Sequence, residues 1–324
     1  MRFATLPNGT PDGRLHLVSR DNARAVPAKA ATTPQAALEA WEELAPALEA
    51  EYAALNAGRA EGSVAFDPAK ALAPLPRAWQ WLDGSAYDSH GELMKQLVGF
   101  DAKQGLDILL MYQGISDRFL SPTETALFPS EADNIDFEGE FGIITGAVPM
   151  GVTAQDGARH IRLVVQINDW SLRGMAAVEM KSGFGVLRCK PRCSMAPVAV
   201  TPDELGPHWR DGQVDLPLEV DFRGARFGAA NGHAMCKGFG DHVAHAAYSR
   251  DLVAGTVIGS GTVSNANFRE VGSSCIAERR GIETLDLGAP KTPFMAFGER
   301  VRMEAKLPDG RPLFGAIDQA VAKG

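Results

Sequence analysis

Ile135-Asp136-Phe137-Glu138-Gly139-Glu140-Phe141-Gly142 is the stretch around which the chain is organised. In an extended strand successive side chains alternate between faces, so Ile135, Phe137 and Phe141 share one face and Asp136, Glu138 and Glu140 the other. Neighbours on one face lie about 7 Å apart, and like charges so placed repel unless water or a cation screens them. The apolar face predicts packing on a core. The acidic face is then either a solvated surface, the commoner situation for charges, or a metal site.

With 324 residues the chain can bury a full core, and its length suggests one large domain with a smaller one, or two domains. Hydrophobic residues make up 45% and charged residues 22%, an ordinary globular composition. The 32 Lys and Arg against 40 Asp and Glu leave a net charge of −8, which argues against nucleic acid or an anionic membrane surface as a partner. No apolar run approaches a membrane-spanning length, and Met1–Gly9 lacks the apolar core of a signal peptide. The expectation is a cytoplasmic protein whose four cysteines, Cys189, Cys193, Cys236 and Cys275, stay reduced.

Outward from the acidic stretch, Arg2–Leu6 and Leu15–Val18 read as strands about a turn rich in Gly, Pro and Asp. Thr33 can cap a helix with Pro34 in its first position. Leu38, Trp41, Leu44, Leu48, Tyr52 and Leu55 follow at helical spacing, Gly58 ends the run, and Pro46 should kink or divide it. The Ala- and Pro-rich residues 58–76 read as a connector, placing a domain boundary near residue 75. Asp83 and His90 share a polar, aromatic segment, followed by a short helix within 91–104. Ile108–Gly114, Ile161–Asp169, Leu216–Phe222, Val257–Ser264 and Glu299–Lys306 read as strands, and Asp241–Leu252 as a helix carrying His242 and His245. Many strands with few long helices predict a mainly β, α+β fold.

Three groups of residues could carry chemistry. Asp83, Glu138, Glu140 and Asp169 each lie at or near the end of a strand-like run, and hard cations such as Mg²⁺, Ca²⁺ or Mn²⁺ take such oxygen ligands. Four carboxylates around one divalent ion leave an excess of negative charge that Arg173 and Lys190 could offset. The alternative is unrelated surface acids. Cys189, Cys193, His233 and Cys236 offer C-x3-C and H-x2-C spacings, a loose match to zinc sites against the alternative of cysteines buried as small hydrophobes. Gly255–Gly261 lacks both the P-loop ending and the G-x-G-x-x-G pattern, and no G-x-S-x-G elbow is present.

Taken together, the motifs resemble the fumarylacetoacetate hydrolase family in a bacterial-type version, over roughly residues 75–320. They run in the family's order: Asp83 with His90, Asp136–Glu140, Asp169-Trp170-Ser171-Leu172-Arg173, Lys190-Pro191, Gly259–Ser264 and Cys275–Glu278. The resemblance implies a mixed β-sandwich or roll core at 76–324 behind a small N-terminal α+β domain at 1–75, assembled as a homodimer. It implies one divalent cation (Mg²⁺, Ca²⁺ or Mn²⁺) on Asp83, Glu138, Glu140 and Asp169, with Asp136 in the motif but not a ligand. His90 matches a general base and Glu278 its orienting carboxylate. Lys190 and Arg173 match cations beside the developing negative charge, and Thr262 and Tyr112 match substrate contacts. The implied reaction is hydrolysis of a C–C bond in a 1,3-diketo acid, with fumarylacetoacetate in tyrosine breakdown the leading substrate. Another acylpyruvate hydrolase, or a 2-keto acid decarboxylase, hydratase or isomerase, is the alternative. Two positions depart from the pattern: Ala176 and Gly99 stand where fumarylacetoacetases have the glutamine and arginine that hold the substrate's acid end. Lys95 or Lys181 could supply another cation.

Overall fold

Apolar residues alternate along the central strands, and the alternation builds a core on each side of one large sheet. The computed structural model describes residues 1–98 and 108–324. Its 11-stranded sheet runs Val64–Ala65, Arg24–Pro27, Arg14–Val18, Arg2–Leu6, Ala199–Val200, Ile161–Asn168, Gly139–Thr145, Thr256–Gly259, Gln80–Gly84 and Met111–Gly114, with Ser194–Met195 paired to Ile161–Asn168 off that path. Ile144, Leu163, Val165, Ile167 and Val257 join Phe3, Leu15 and Leu17 in a cluster with Leu38, Leu48, Tyr52 and Leu55 of the N-terminal helices. Their strand neighbours Ile143, Val164 and Ile258 point the other way. There they pack with Leu218, Val220, Val301 and Met303 of a 5-stranded sheet. The architecture is therefore α+β and mainly β: helices, large sheet, small sheet.

The N-terminal strands are continuous with the large sheet, since Phe3 pairs with Ala199. Thr33 caps the first helix as its spacing predicts, its hydroxyl accepting the Ala36 N–H at 3.2 Å. The division falls at Ala40 (φ −116°, ψ 36°), between Pro34–Glu39 and Trp41–Asn56, and not at Pro46. Pro46 comes soon after the helix restarts, where its ring forfeits one early hydrogen bond and the helix continues.

The acidic stretch is not one continuous strand. Ile135–Asp136 pairs with Ser171–Leu172, whereas Gly139–Thr145 pairs with Ile161–Asn168 and Thr256–Gly259. At the change of partner, the Glu138 N–H donates to Asn168 Oδ1 at 3.0 Å and its carbonyl accepts the Asp169 N–H at 2.9 Å. The apolar residues do reach the core: Phe137 meets Phe222 and Phe227 edge-on with centroids 5.4 and 5.3 Å away. The acids are buried too, Asp136 and Glu140 at 0% exposure and Glu138 at 5%, so the solvated-face reading does not hold.

Three further differences bear on the site. His90 lies on the helix Asp88–Val98 and not in a loop with Asp83. Residues 173–182, for which the sequence suggested no helix, form the helix Arg173–Ser182, closed by Gly183 at φ 75°. The expected strand Ile108–Gly114 is shortened to Met111–Gly114, the last strand of its sheet and only half-buried. No helix among the described residues is long and apolar enough to cross a membrane.

Candidate metal centre and its histidine

Four strand ends converge at one end of the large sheet. Asp83 pairs with Gly259, Gly259 with Gly142, and Glu140 with Ile167, two residues before Asp169. Oxygens of Asp83, Glu140 and Asp169 consequently lie within 4.8 Å of one another, all three residues buried. Gly259 makes the approach possible. A Cβ there would press on the Trp81 ring and stand 2.5 Å from Asp83 Oδ1 and 2.9 Å from Glu140 Oε2. Gly259→Ala is expected to lower Mn²⁺ affinity by about tenfold or more with the far-ultraviolet circular dichroism unchanged; a wild-type Mn²⁺ titration would refute the close-approach argument.

Cations and hydroxyls surround the cluster. Lys190 Nζ donates to Glu138 Oε2 at 2.6 Å, to Ser171 Oγ at 2.8 Å and to Asp169 Oδ2, which uses all three of its hydrogens. Its ammonium also lies 5.3 Å from the Tyr112 ring centroid. Tyr112 donates its hydroxyl to Asp169 Oδ2 at 2.5 Å, and Cys193 its thiol to Asp169 Oδ1 at 2.9 Å. Arg173 bridges Asp136, at 2.8 Å, and Glu138. Glu138 therefore stands beside the cluster with both oxygens bonded to cations.

Glu140 is the opposite case. Both its oxygens are buried with no hydrogen-bond partner, an arrangement that costs several kcal/mol for an ionised group left alone (on the order of the desolvation penalties in buried pairs). A cation ligated there removes the cost. The charges agree in sign: the carboxylates Asp83, Asp136, Glu138, Glu140 and Asp169 outnumber the cations Lys190 and Arg173, leaving an excess of negative charge for a cation to offset. An all-oxygen donor set of this kind fits a hard cation.

The titration behaviour follows from burial. Desolvation, then repulsion from Asp169, raises the Asp83 carboxyl well above its ordinary range; desolvation, then Asp83, does the same to Glu140. Burial also opposes ionisation of Glu138, but Arg173 and Lys190 together outweigh it and hold that carboxyl far below the usual value. Without a cation, the native state thus binds protons at Asp83 and Glu140 more tightly than the unfolded chain does. Their contribution to stability falls as pH rises toward neutrality, and a divalent cation replaces those protons. Mn²⁺ should therefore raise Tm more at about pH 7.5 than at about pH 5 by scanning calorimetry; equal shifts would count against the cluster as the binding site.

A second group adjoins the first. The helices Asp88–Val98 and Ile276–Leu287 pack together and bring His90, Cys275 and Glu278 within 4.8 Å. His90 Nδ1 is 3.9 Å from Glu278 Oε2. Asp136 anchors the second helix, accepting the N–H groups of Ile276 at 2.7 Å and Ala277 at 2.9 Å, a favourable place for a carboxylate. That role was not legible in the sequence, where Asp136 was simply part of the acidic motif. Thr262 is buried and follows Gly261, whose N–H donates to Asp83 Oδ1 at 3.1 Å.

The zinc reading has no support among the described residues. Cys193 serves Asp169, Cys189 bonds through its N–H to Glu179, and His233 meets Arg210 and Asp211. His242 is structural, its Nδ1 bonded to the Gly238 carbonyl at 2.9 Å. Ala176 lies on the helix Arg173–Ser182, at whose end Lys181 is exposed; Gly99 falls outside the described residues.

Fold and site together define an α+β protein with a buried carboxylate cluster, suited to a divalent cation, beside a histidine–glutamate pair. Residues 80–322 match the family described as fumarylacetoacetate (FAA) hydrolase C-terminal, and residues 1–77 match fumarylacetoacetase N-terminal domain 2. The chain belongs to the fumarylacetoacetate hydrolase family. Among solved structures it is similar to a Mycobacterium smegmatis protein assigned as HpcE (19% identity, TM-score 0.71, all of both chains covered). It is also similar to maleylpyruvate hydrolase from Sphingobium sp. SYK-6 in complex with manganese(II) ion and pyruvate (18%, TM-score 0.64, all of both chains). A third is 2-hydroxyhepta-2,4-diene-1,7-dioate isomerase from Mycobacterium marinum (17%, TM-score 0.62, 100% of this chain and 98% of that one). At these identities the likeness is one of fold. No curated protein sequence matches the chain.

Proposed function

We propose that this protein is a divalent-cation-dependent hydrolase that cleaves a C–C bond in a 1,3-diketo acid, with fumarylacetoacetate the leading substrate. The observation that carries the reading is the unpartnered Glu140 carboxylate within the Asp83–Glu140–Asp169 cluster, next to the His90–Glu278 pair. Asp83, Glu140 and Asp169 would hold the cation, with Glu138 beside them. Bound there, the cation supplies Lewis-acid polarisation of the substrate's two oxygens. The manganese(II) and pyruvate found with the maleylpyruvate hydrolase support this choice of cofactor and of a keto-acid substrate.

The chain's own residues supply the rest. Glu278 orients the imidazole through Nδ1, leaving Nε2 to take a proton from water. The hydroxide so formed attacks a carbonyl carbon, and the oxyanion that develops is stabilised by nearby fixed positive charge. Lys190, with its hydrogens already engaged, acts by its charge; Arg173 holds Glu138 in place beside it. When the C–C bond breaks, its electrons leave with the methylene carbon, and His90 returns the proton to that carbon. The products are two carboxylic acids if the substrate carries an acid at each end.

Ala176 favours an acylpyruvate other than fumarylacetoacetate as the second reading, because its methyl offers no donor to an acid end. A decarboxylase, hydratase or isomerase would use the same cation without attack by water on a ketone. The test is turnover by chelated protein reloaded with Mg²⁺, Mn²⁺ or Ca²⁺, with products identified. Cation-restored release of fumarate and acetoacetate is expected. Release of CO₂, or a product of unchanged mass, would replace hydrolysis with the lyase or isomerase reading.

A further inference from the structure

Glu278 has two carboxylate oxygens, and only one is near His90. Oε2 is 3.9 Å from His90 Nδ1, and both atoms are buried with no hydrogen-bond partner. Oε1 accepts the Ser264 hydroxyl at 2.5 Å. An ionised carboxylate only accepts, so the Ser264 proton points at Glu278 and the Ser264 oxygen is left to accept. Ser89 donates to it at 2.9 Å. Ser89 directly precedes His90 on the helix Asp88–Val98, while Ser264 and Glu278 are both completely buried. The three groups thus form a one-way relay, Ser89 to Ser264 to Glu278, that starts beside the imidazole in the chain and ends on the carboxylate facing it.

We infer that Ser264 is a positioning residue that holds Glu278 by one oxygen so that the other is presented to His90, with Ser89 tying the His90 helix to the same hydroxyl. The terminal torsion of a glutamate side chain is broad and two-fold. Without a partner on Oε1, the carboxylate can swing both oxygens away from the imidazole, whose tautomer is then no longer set. Linked hydroxyls strengthen one another in a buried setting, so the outer serine contributes through the inner one. Among the described residues, the titratable groups facing the imidazole are Glu278 and Cys275 close by and Glu138 farther off. None of them bonds Glu278 Oε1, and among the described residues it is Ser264 that does. The role as an orienter of the base rests on the reaction proposed above.

The test uses the full chain loaded with Mn²⁺ and labelled with ¹⁵N-histidine. Ser264→Ala should lower kcat by about ten- to a hundredfold, with KM and Mn²⁺ affinity unchanged, and shift the His90 ring-nitrogen signals away from the wild-type tautomer. Ser264→Thr, which keeps the hydroxyl, should restore most of the rate and the wild-type spectrum. Ser89→Ala should show a smaller loss of the same kind, and it carries the comparison if Ser264→Ala does not fold. The inference is overturned if Ser264→Ala, or Ser89→Ala in its place, leaves kcat and the His90 signals as in wild type. It is equally overturned if threonine fails to rescue. The ring-nitrogen signals need no substrate, so a chain that hydrolyses no diketo acid would refute the reaction and still decide whether Ser264 positions the imidazole.

Discussion

His90→Ala is expected to lower kcat by about 10²- to 10⁴-fold, the range of a positioned general base, while leaving divalent-cation affinity unchanged. The separation follows from geometry. His90 belongs to the group with Cys275 and Glu278, whereas the three carboxylates that gather for a cation are Asp83, Glu140 and Asp169. Removing the imidazole takes away the acceptor for the proton of water and leaves the cation's oxygens in place. Isothermal titration with Mn²⁺ and steady-state kinetics on one preparation would read both quantities. A variant that still cleaves diketo acids at near the wild-type rate would refute the mechanism. Loss of cation binding along with the rate would merge the two groups into a single site.

Glu140→Gln should have two effects of opposite sign. Cation affinity should fall by at least about a hundredfold, and activity with it, because a neutral amide replaces a carboxylate that nothing but a cation compensates. The cation-free protein should become more stable near neutral pH, by on the order of 1–3 kcal/mol. Burial and the Asp83 charge both disfavour ionised Glu140. An amide has no charge to desolvate and offers Asp83 a further donor beside the Gly261 N–H. Such a gain on deleting a functional group is the usual mark of a site strained for its ligand. Urea unfolding of chelated wild type and variant checks the second effect. A less stable cation-free variant would show that Glu140 is held by something other than electrostatic need.

Much of this was legible in the chain itself. The alternation at 135–141, the cap at Thr33-Pro34 and the strand runs at 161–169 and 216–222 are local patterns, and the core residues they marked are buried. Asp83, Glu138, Glu140 and Asp169 were marked as carboxylates at or near strand ends, and the family resemblance paired His90 with Glu278. Other features were beyond reach. Asp136, Glu138 and Glu140 look equivalent at a two-residue spacing, yet they serve a helix N-terminus, a pair of cations and an unpartnered cluster, respectively. They diverge because the chain changes strand partner between Asp136 and Gly139. Cys193 was read as a zinc ligand or a core hydrophobe, and its bond to Asp169 had no signal in the spacing. Ser264 stood inside a quoted motif, but nothing local linked it to a glutamate fourteen residues on.

By itself the sequence determined which residues prefer strand or helix, which faces are apolar, and which chemistries the side chains could perform, because such properties depend on residue type and on neighbours a few positions away. Tertiary structure alone decided that acids at 83, 140 and 169 share one buried end of a sheet, that Lys190 and Arg173 clasp Glu138, and that two helices bring His90 to Glu278. Burial turns those same groups from ordinary charges into a site. Desolvation makes an unpaired carboxylate costly, and only packing between distant segments determines which carboxylates receive a partner and which are left for a cation.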